Sequence, residues 1–359
     1  MSTKTPLIIV GAGIAGFTLA KLWRQAEPNH PLMIITQDDG DFYHKPLLSV
    51  SLTKGKTPDD TISEYKKDLA NSLNATILTQ TKAIDIQDKK KVLVTDRGDF
   101  KYSKLIIATG STPKKLPHLT NALSLNTLDD YRILRPLMEK ADTINIIGAG
   151  LVGCELANDL LSLNKTIRLV SDVPCPLNGL VPSPIGEALK DAMVEAGIEW
   201  YESTPPEADL TIQAIGLQHA PAISDALAVS PNGIIVDAHG KTNLADVYAL
   251  GDCAEVHGVT LRYIGPIRQQ AQAMVQTLLG NPTEISYPAL PTVAKTPTFP
   301  VVVCRHPWIK GRWEVISDHD GIQMEQFDDQ NKLIGFALGG NATQLRMQYQ
   351  LPAWSLMEK

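Results

Sequence analysis

Two glycine runs carry the chemistry that this sequence can do. Gly11-Ala12-Gly13-Ile14-Ala15-Gly16 and Gly148-Ala149-Gly150-Leu151-Val152-Gly153 share the spacing G-x-G-x-x-G and begin 137 residues apart. In such a run the first glycine permits a tight turn and the second lets the backbone approach a pyrophosphate. The third lets a helix pack close to a strand. The helix that follows turns free N–H groups and the positive end of its dipole toward the phosphates. One run alone is a weak signal; two in full context are a strong one. Two dinucleotide sites on one chain point to two dinucleotides that react with each other, such as a flavin and a nicotinamide.

The elements that must position these runs are legible on either side. Leu7-Ile8-Ile9-Val10 is a continuous apolar run, and Leu19, Ala20, Leu22 and Trp23 follow at helical spacing. Leu32-Met33-Ile34-Ile35 then reads as a second strand. Residues 143–147 lead into the second run, a helix-like stretch reaches Leu163, and Ile167 to Val170 reads as a strand. The fold class expected is therefore α/β, with two Rossmann-like dinucleotide-binding domains and a small α+β C-terminal domain.

Composition narrows the field further. The chain has 359 residues, 43% apolar and 20% charged, which predicts two or three globular domains. A net charge of −6 provides no electrostatic footprint for nucleic acid. No apolar run is long enough for a membrane span. Met1 to Pro6 runs straight into an apolar strand, unlike a signal peptide, so a cytoplasmic protein with reduced thiols is expected. Cys154, Cys175, Cys253 and Cys304 are isolated, and His30, His118, His219 and the other histidines make no ligand spacing. Neither a metal site nor a redox dithiol is expected, so electrons would leave a reduced flavin directly. Cys154, near a helix start, reads chiefly as a small packing residue.

Further strings carry a family resemblance. Residues 105–111, ending in Ala108-Thr109-Gly110-Ser111, and residues 242–252, ending in Gly251-Asp252, resemble the second and third FAD motifs of the two-dinucleotide flavoprotein reductases. By that resemblance Asp252 would bond the ribityl or phosphate part of FAD. Tyr43-His44-Lys45-Pro46-Leu47-Leu48-Ser49, Gly153-Cys154-Glu155-Leu156-Ala157-Asn158-Asp159, Gly251-Asp252-Cys253-Ala254-Glu255 and Val293-Ala294-Lys295-Thr296-Pro297 together resemble bacterial rubredoxin–NAD reductases over nearly the whole chain. The nearest kind supplies rubredoxin for alkane hydroxylation. The resemblance implies FAD and NADH as cofactors and rubredoxin, a small acidic iron protein, as electron acceptor. It implies that Lys45 and Glu155 meet beside flavin N5, and that Lys295 lies near the flavin. Pro46, Ala83 and Gly216 are further cofactor-binding candidates.

Other residues are read from position. Asp38 would hold the FAD ribose, with Gln37 and Asp39 as alternatives in register, and Asp172 would hold the NADH ribose. No Arg stands at Ser171-Asp172-Val173-Pro174 to receive a 2′-phosphate, which favours NADH over NADPH. Tyr263-Ile264-Gly265-Pro266 reads as a helix start, which would place the Ile264 N–H at the flavin pyrimidine edge. Arg305, Lys310 and Arg312, with Arg262 and Arg268, are candidates for docking an acidic carrier. Lys89-Lys90-Lys91 reads as a solvated turn.

The domains expected are 1–111 and 236–281 for FAD, 112–235 for NAD and 282–359 at the C-terminus. Thr283 to Pro291 reads as a Pro-rich linker, and Val301 to Cys304 and Trp313 to Ile316 as strands beyond it. One departure from the resembling family stands out. Only residues 202–207 separate two strand-like segments where relatives carry a longer antiparallel excursion, so a trimmed edge is expected. The competing readings are a reductase of a ferredoxin or of a rubredoxin-like module serving nitric oxide detoxification, and an NADH-sensing flavoprotein.

Overall fold

Leu7–Val10, Leu32–Ile35 and Lys104–Ile107 are almost wholly aliphatic, which suits strands covered on both faces of a parallel sheet. A computed structural model, which describes residues 4–354, places them at the centre of a five-stranded sheet. Across this sheet run Val247–Ala249, Lys104–Ile107, Leu7–Val10, Leu32–Ile35 and Thr76–Leu78, all parallel. Ile8 stands opposite Met33 on one side and Leu105 on the other. The helices Ile14–Ala26 and Ile264–Leu278 cover one face through Phe17, Leu19, Trp23, Ile267 and Met274. The small antiparallel sheet of Ala83–Gln87, Val92–Thr95 and Gly98–Lys101 supplies Ile86 and Leu93 to the core on the other face.

The second sheet repeats the plan. Its order is Leu123–Ser124, Leu210–Gln213, Thr143–Ile147, Thr166–Val170, Glu199–Tyr201, again all parallel. The Leu128–Lys140 helix packs Tyr131, Leu134 and Met138 into its core. That helix starts on a capping box, with Thr127 accepting from the Asp130 N–H and Asp130 from the Thr127 N–H. Residues 202–209 cross between edge and centre of the sheet without a strand, which is the trimmed edge expected. Asn145, buried mid-strand, tethers this crossing by donating to the Pro206 carbonyl at 2.9 Å.

The two passages between domains are zipped together. Ser111–Pro113 and Leu217–His219 pair antiparallel, and Lys114 and Ala220 donate to the carbonyls of Gly216 and Gly110. The chain returns to the domain of the first sheet earlier than expected. Ile234–Val236 pairs with Ala254–Val256, and Leu227 and Ile234 already lie in the core shared with Ile8 and Leu105. A junction at 235/236 would cut that strand in two, so sheet pairing moves it upstream.

The C-terminal sheet is antiparallel, in the order Thr292–Ala294, Val301–Cys304, Leu333–Gly339, Ile322–Phe327, Arg312–Ser317. A 3₁₀ stretch, Gly340–Gln348, follows it. The Pro-rich approach is no free linker. Ile285 donates to the Ala238 carbonyl, and Ile285 and Tyr287 are buried. Tyr287, in turn, accepts from Gln270 Nε2 at 2.8 Å. The Lys89–Lys91 turn also differs from a purely solvated one, because Lys91 joins Lys104 on the Asp246 carboxylate. Among the described residues no helix is long and apolar enough to cross a membrane.

Candidate functional site

The two glycine runs fold alike. Gly11 has φ +116° and Gly148 φ +108°, a region open to glycine and closed to most other residues. A Cβ on Gly11 would stand 2.2 Å from the Ala108 carbonyl oxygen, and one on Gly148 2.6 Å from that of Ala214. On Gly16 and Gly153 a Cβ would meet the carbonyl oxygens of Gly11 and Gly148 at 2.0 and 1.9 Å. The protein's own packing demands these four glycines.

Gly13 and Gly150 differ. A Cβ there would meet nothing within 4 Å, so nothing in the chain requires glycine. Each is the N-cap of its helix, with no capping side chain and no acidic residue in the first turn. An uncapped helix start with open space above its second glycine fits a pyrophosphate drawn close to the backbone. Ala12, Ile14 and Ala15 line the first turn and Leu151 and Val152 the second, Val152 at 37% exposure. Thr109-Gly110 and Ile215-Gly216 follow the Lys104–Ile107 and Leu210–Gln213 strands, and both glycines have positive φ.

The side chains singled out by sequence gather in two polar networks along one segment. Lys45 opens the 3₁₀ turn Lys45–Val50, and its Nζ reaches Asn126 Oδ1 at 3.5 Å. Asn126 Nδ2 donates to the Ser111 carbonyl, and Ser111 Oγ donates to Asp252 Oδ2 at 2.8 Å. Burial pulls the Lys45 pKa down, against the carboxylates of Asp252, Asp130 and Asp38, which hold it up. The second network centres on Glu155, which is 2% exposed. It accepts from Ser49 Oγ at 2.6 Å, from the Lys295 N–H at 3.0 Å and from Lys295 Nζ at 3.4 Å. Lys295 Nζ also donates to the Pro46 carbonyl at 2.8 Å.

The cation on Glu155 is thus Lys295, and the contact with Lys45 expected from sequence is not made. The reason is geometric. Ser49, four residues beyond Lys45 in the same 3₁₀ stretch, reaches Glu155, while Lys45 reaches Asn126 instead. Asp252 follows Gly251, whose N–H donates to Gln270 Oε1 at 2.7 Å. Asp38 turns into its own loop, accepting from Thr36 Oγ1 and the Gly40 N–H, and burial raises its pKa. Asp172 is exposed two residues past the Thr166–Val170 strand. Ile264, at 43% exposure, starts the Ile264–Leu278 helix. Ala83 is buried at the start of its strand.

Other expectations resolve as follows. Burial pushes the Cys154 and Cys304 thiols up to about 12, so neither is a ready thiolate, and all four cysteines are buried and free. The basic cluster splits. Arg305 donates to the Gly179 carbonyl of the second domain and lies beside Tyr263. Arg312 is held on the sheet edge by Glu314 and Asn331. Sequence reasoning gave no role to Ser49, Ser111, Asn126, Asn158 or Asp159. For the last two the signal was present: polar residues at i, i+3 and i+4 from Glu155 on a helix that is otherwise apolar.

Comparisons with known proteins identify the family. Residues 5–207 and 202–277 match the pyridine nucleotide-disulphide oxidoreductase family, and residues 284–351 match the rubredoxin binding C-terminal domain. The Rubredoxin-NAD(+) reductase of Alcanivorax borkumensis is 34% identical over 97% of this chain and 99% of its own. The Nitric oxide reductase FlRd-NAD(+) reductase of Aeromonas salmonicida is 29% identical over 93% of each chain. Among solved structures, the NADH:rubredoxin oxidoreductase of Clostridium acetobutylicum shares the fold. Its TM-score is 0.82 at 24% identity, with 96% of this chain and 93% of that one covered.

Proposed function

The chain belongs to the pyridine nucleotide-disulphide oxidoreductase family, with the C-terminal domain of its rubredoxin–NAD(+) reductases, and on that premise we propose that it oxidises NADH and reduces rubredoxin. When bound, FAD supplies the chemistry that converts a two-electron donor into single electrons for an iron protein. The observation that carries the reading is the pairing of two open cradles at Gly13 and Gly150 with a matched rubredoxin-binding domain beside them.

The chain's own residues supply position and field. The first helix start would hold the FAD pyrophosphate and the second that of NADH. Lys45, an ammonium held against burial by Asp252 and its neighbours, would place positive charge beside the flavin. Glu155 holds Lys295, and both bring the C-terminal domain against the second helix. Asp172 would bond the ribose of NADH, and Ile264 would direct its helix N-terminus at the flavin. On this reading the protein works in the cytoplasm and supplies electrons to an alkane hydroxylase through rubredoxin. The relatives named for nitric oxide reductase favour a second reading, in which the acceptor is the rubredoxin module of such a system.

The test is anaerobic. The FAD-loaded protein is mixed with NADH and oxidised rubredoxin, with a ferredoxin as control, and the visible band of rubredoxin is followed. Rapid bleaching selective for rubredoxin is expected. Flavin reduction without bleaching of rubredoxin would overturn the acceptor.

A further inference from the structure

The Leu151–Leu160 helix carries Glu155, Asn158 and Asp159 on one face, at i, i+3 and i+4. All three are buried, at 2%, 6% and 3% exposure. Buried polar groups need partners, and each of these has found its own far along the chain. Asp159 Oδ2 accepts from the Leu52 N–H and Oδ1 from the Thr53 N–H, both at 2.8 Å. Asn158 Oδ1 accepts from the Thr298 hydroxyl at 2.8 Å and from its N–H at 3.2 Å. Asn158 Nδ2 donates back to the Cys154 carbonyl at 3.0 Å, which turns the amide oxygen outward.

Where those partners sit gives the arrangement its meaning. Leu52 and Thr53 end the segment that begins at Lys45. Thr298 lies in the turn that follows Lys295, closed by the Phe299 N–H on the Thr296 carbonyl. One helix, leading directly out of the second glycine run, therefore holds two lysine-bearing segments from two other domains. A simple apolar contact would join these parts without fixing their register. Paired carboxylate bonds to successive backbone N–H groups fix direction as well as distance.

We propose that Asn158 and Asp159 are positioning residues that set how closely the nicotinamide-side helix faces the flavin-side segment and the C-terminal domain. The proposal rests on the reading of two facing dinucleotides given above. Neither residue belongs to a glycine run. They act through the placement of Glu155, Lys45 and Lys295.

The test uses the full FAD-loaded chain and the variants Asp159→Ala, Asp159→Asn and Asn158→Ala. Flavin reduction is followed by anaerobic rapid mixing over a range of NADH concentrations, and amide hydrogen exchange is read at Leu52 and Thr53. Asp159→Ala is expected to slow reduction at saturating NADH by about tenfold or more, since a misplacement of about 1 Å can cost about 100-fold. FAD content and NADH affinity should stay within about twofold. Exchange at Leu52 and Thr53 should quicken. Asp159→Asn, which keeps one carbonyl acceptor, should recover much of the rate. If Asp159→Ala does not fold, Asn158→Ala must still slow reduction. Reduction at the parent rate in the folded variants overturns the proposal. So does a loss that only tracks weaker FAD or NADH binding. If NADH fails to reduce the unaltered protein, the functional reading itself falls, and the two failures are told apart by that one control.

Discussion

The Ile14–Ala26 and Leu151–Leu160 helices leave the same kind of turn and enter different surroundings. The first buries Ala15, Phe17, Leu19, Ala20 and Trp23 against the sheet and the Ile264–Leu278 helix, and reaches outward through Lys21 to Glu64 in solvent. The second buries Glu155, Asn158 and Asp159 together with Leu156 and Leu160, and spends its polar groups on other domains. Turn geometry is common because both turns share one glycine spacing, with a positive φ at the first glycine and tight packing at the third. What lies beyond the turn is not common. The polar contacts of the first helix, through Lys21 and Arg24, stay within its own domain, whereas the second sits where three parts of the molecule meet.

Breaking the shared turn should have the largest effect. Gly16→Ala and Gly153→Ala each drive a Cβ to within 2.0 Å of a carbonyl oxygen. Each should cost about 3 kcal/mol of stability, read by denaturant unfolding of the cofactor-free chain. Gly13→Ala and Gly150→Ala meet open space instead. They should stay within about 1 kcal/mol of the parent, while weakening FAD and NADH binding respectively. Equal stability losses at Gly13 and Gly16 would erase the distinction between glycines kept for packing and glycines kept for a ligand.

Removing the buried carboxylate comes next. Glu155→Ala leaves Ser49 Oγ, the Lys295 N–H and Lys295 Nζ without an acceptor. Lys295 is 37% exposed at its side chain, so water recovers part of the loss. A cost of about 2 kcal/mol is expected, with Glu155→Gln closer to the parent. A negligible loss would make the second helix no more committed than the first.

Lys45 sharpens the comparison by its sign. Burial lowers its pKa, so the folded chain holds that proton less tightly than the unfolded one. The penalty grows as pH falls below the unfolded lysine value of about 10.4 and is complete below the folded value. Lys45→Met should therefore raise the thermal midpoint of the cofactor-free chain at pH 7, and the gain should vanish at more alkaline pH. The same variant should slow flavin reduction by NADH without removing FAD. A lowered midpoint at pH 7 would reverse the argument. The smallest effect belongs to the outward pair of the first helix. Lys21 and Glu64 are 40% and 39% exposed, so Lys21→Ala should cost under about 0.5 kcal/mol.

Much of this molecule was legible in the chain. Each glycine run declares itself within a few residues, because the turn, the positive φ of Gly11 and Gly148 and the helix start are local. The aliphatic strands around them declare a parallel sheet for the same reason. The four isolated cysteines and the short 202–207 crossing could likewise be read directly. The two strings around Lys45 and Glu155 were recognised as belonging together.

Which lysine meets Glu155 was another matter. Lys295 stands 140 residues from Glu155, and Leu52 stands 107 from Asp159. No local propensity joins residues so far apart. Their meeting depends on how two Rossmann-like units and an antiparallel sheet close on one helix, and within the Lys45–Val50 segment it is Ser49 that reaches the carboxylate. The return of the chain through Ile234–Val236 was hidden for a like reason, since its partner strand Ala254–Val256 comes only after the intervening Val247–Ala249 strand. Local sterics wrote the cradles into the sequence, and only long-range packing decided which charges face one another between them.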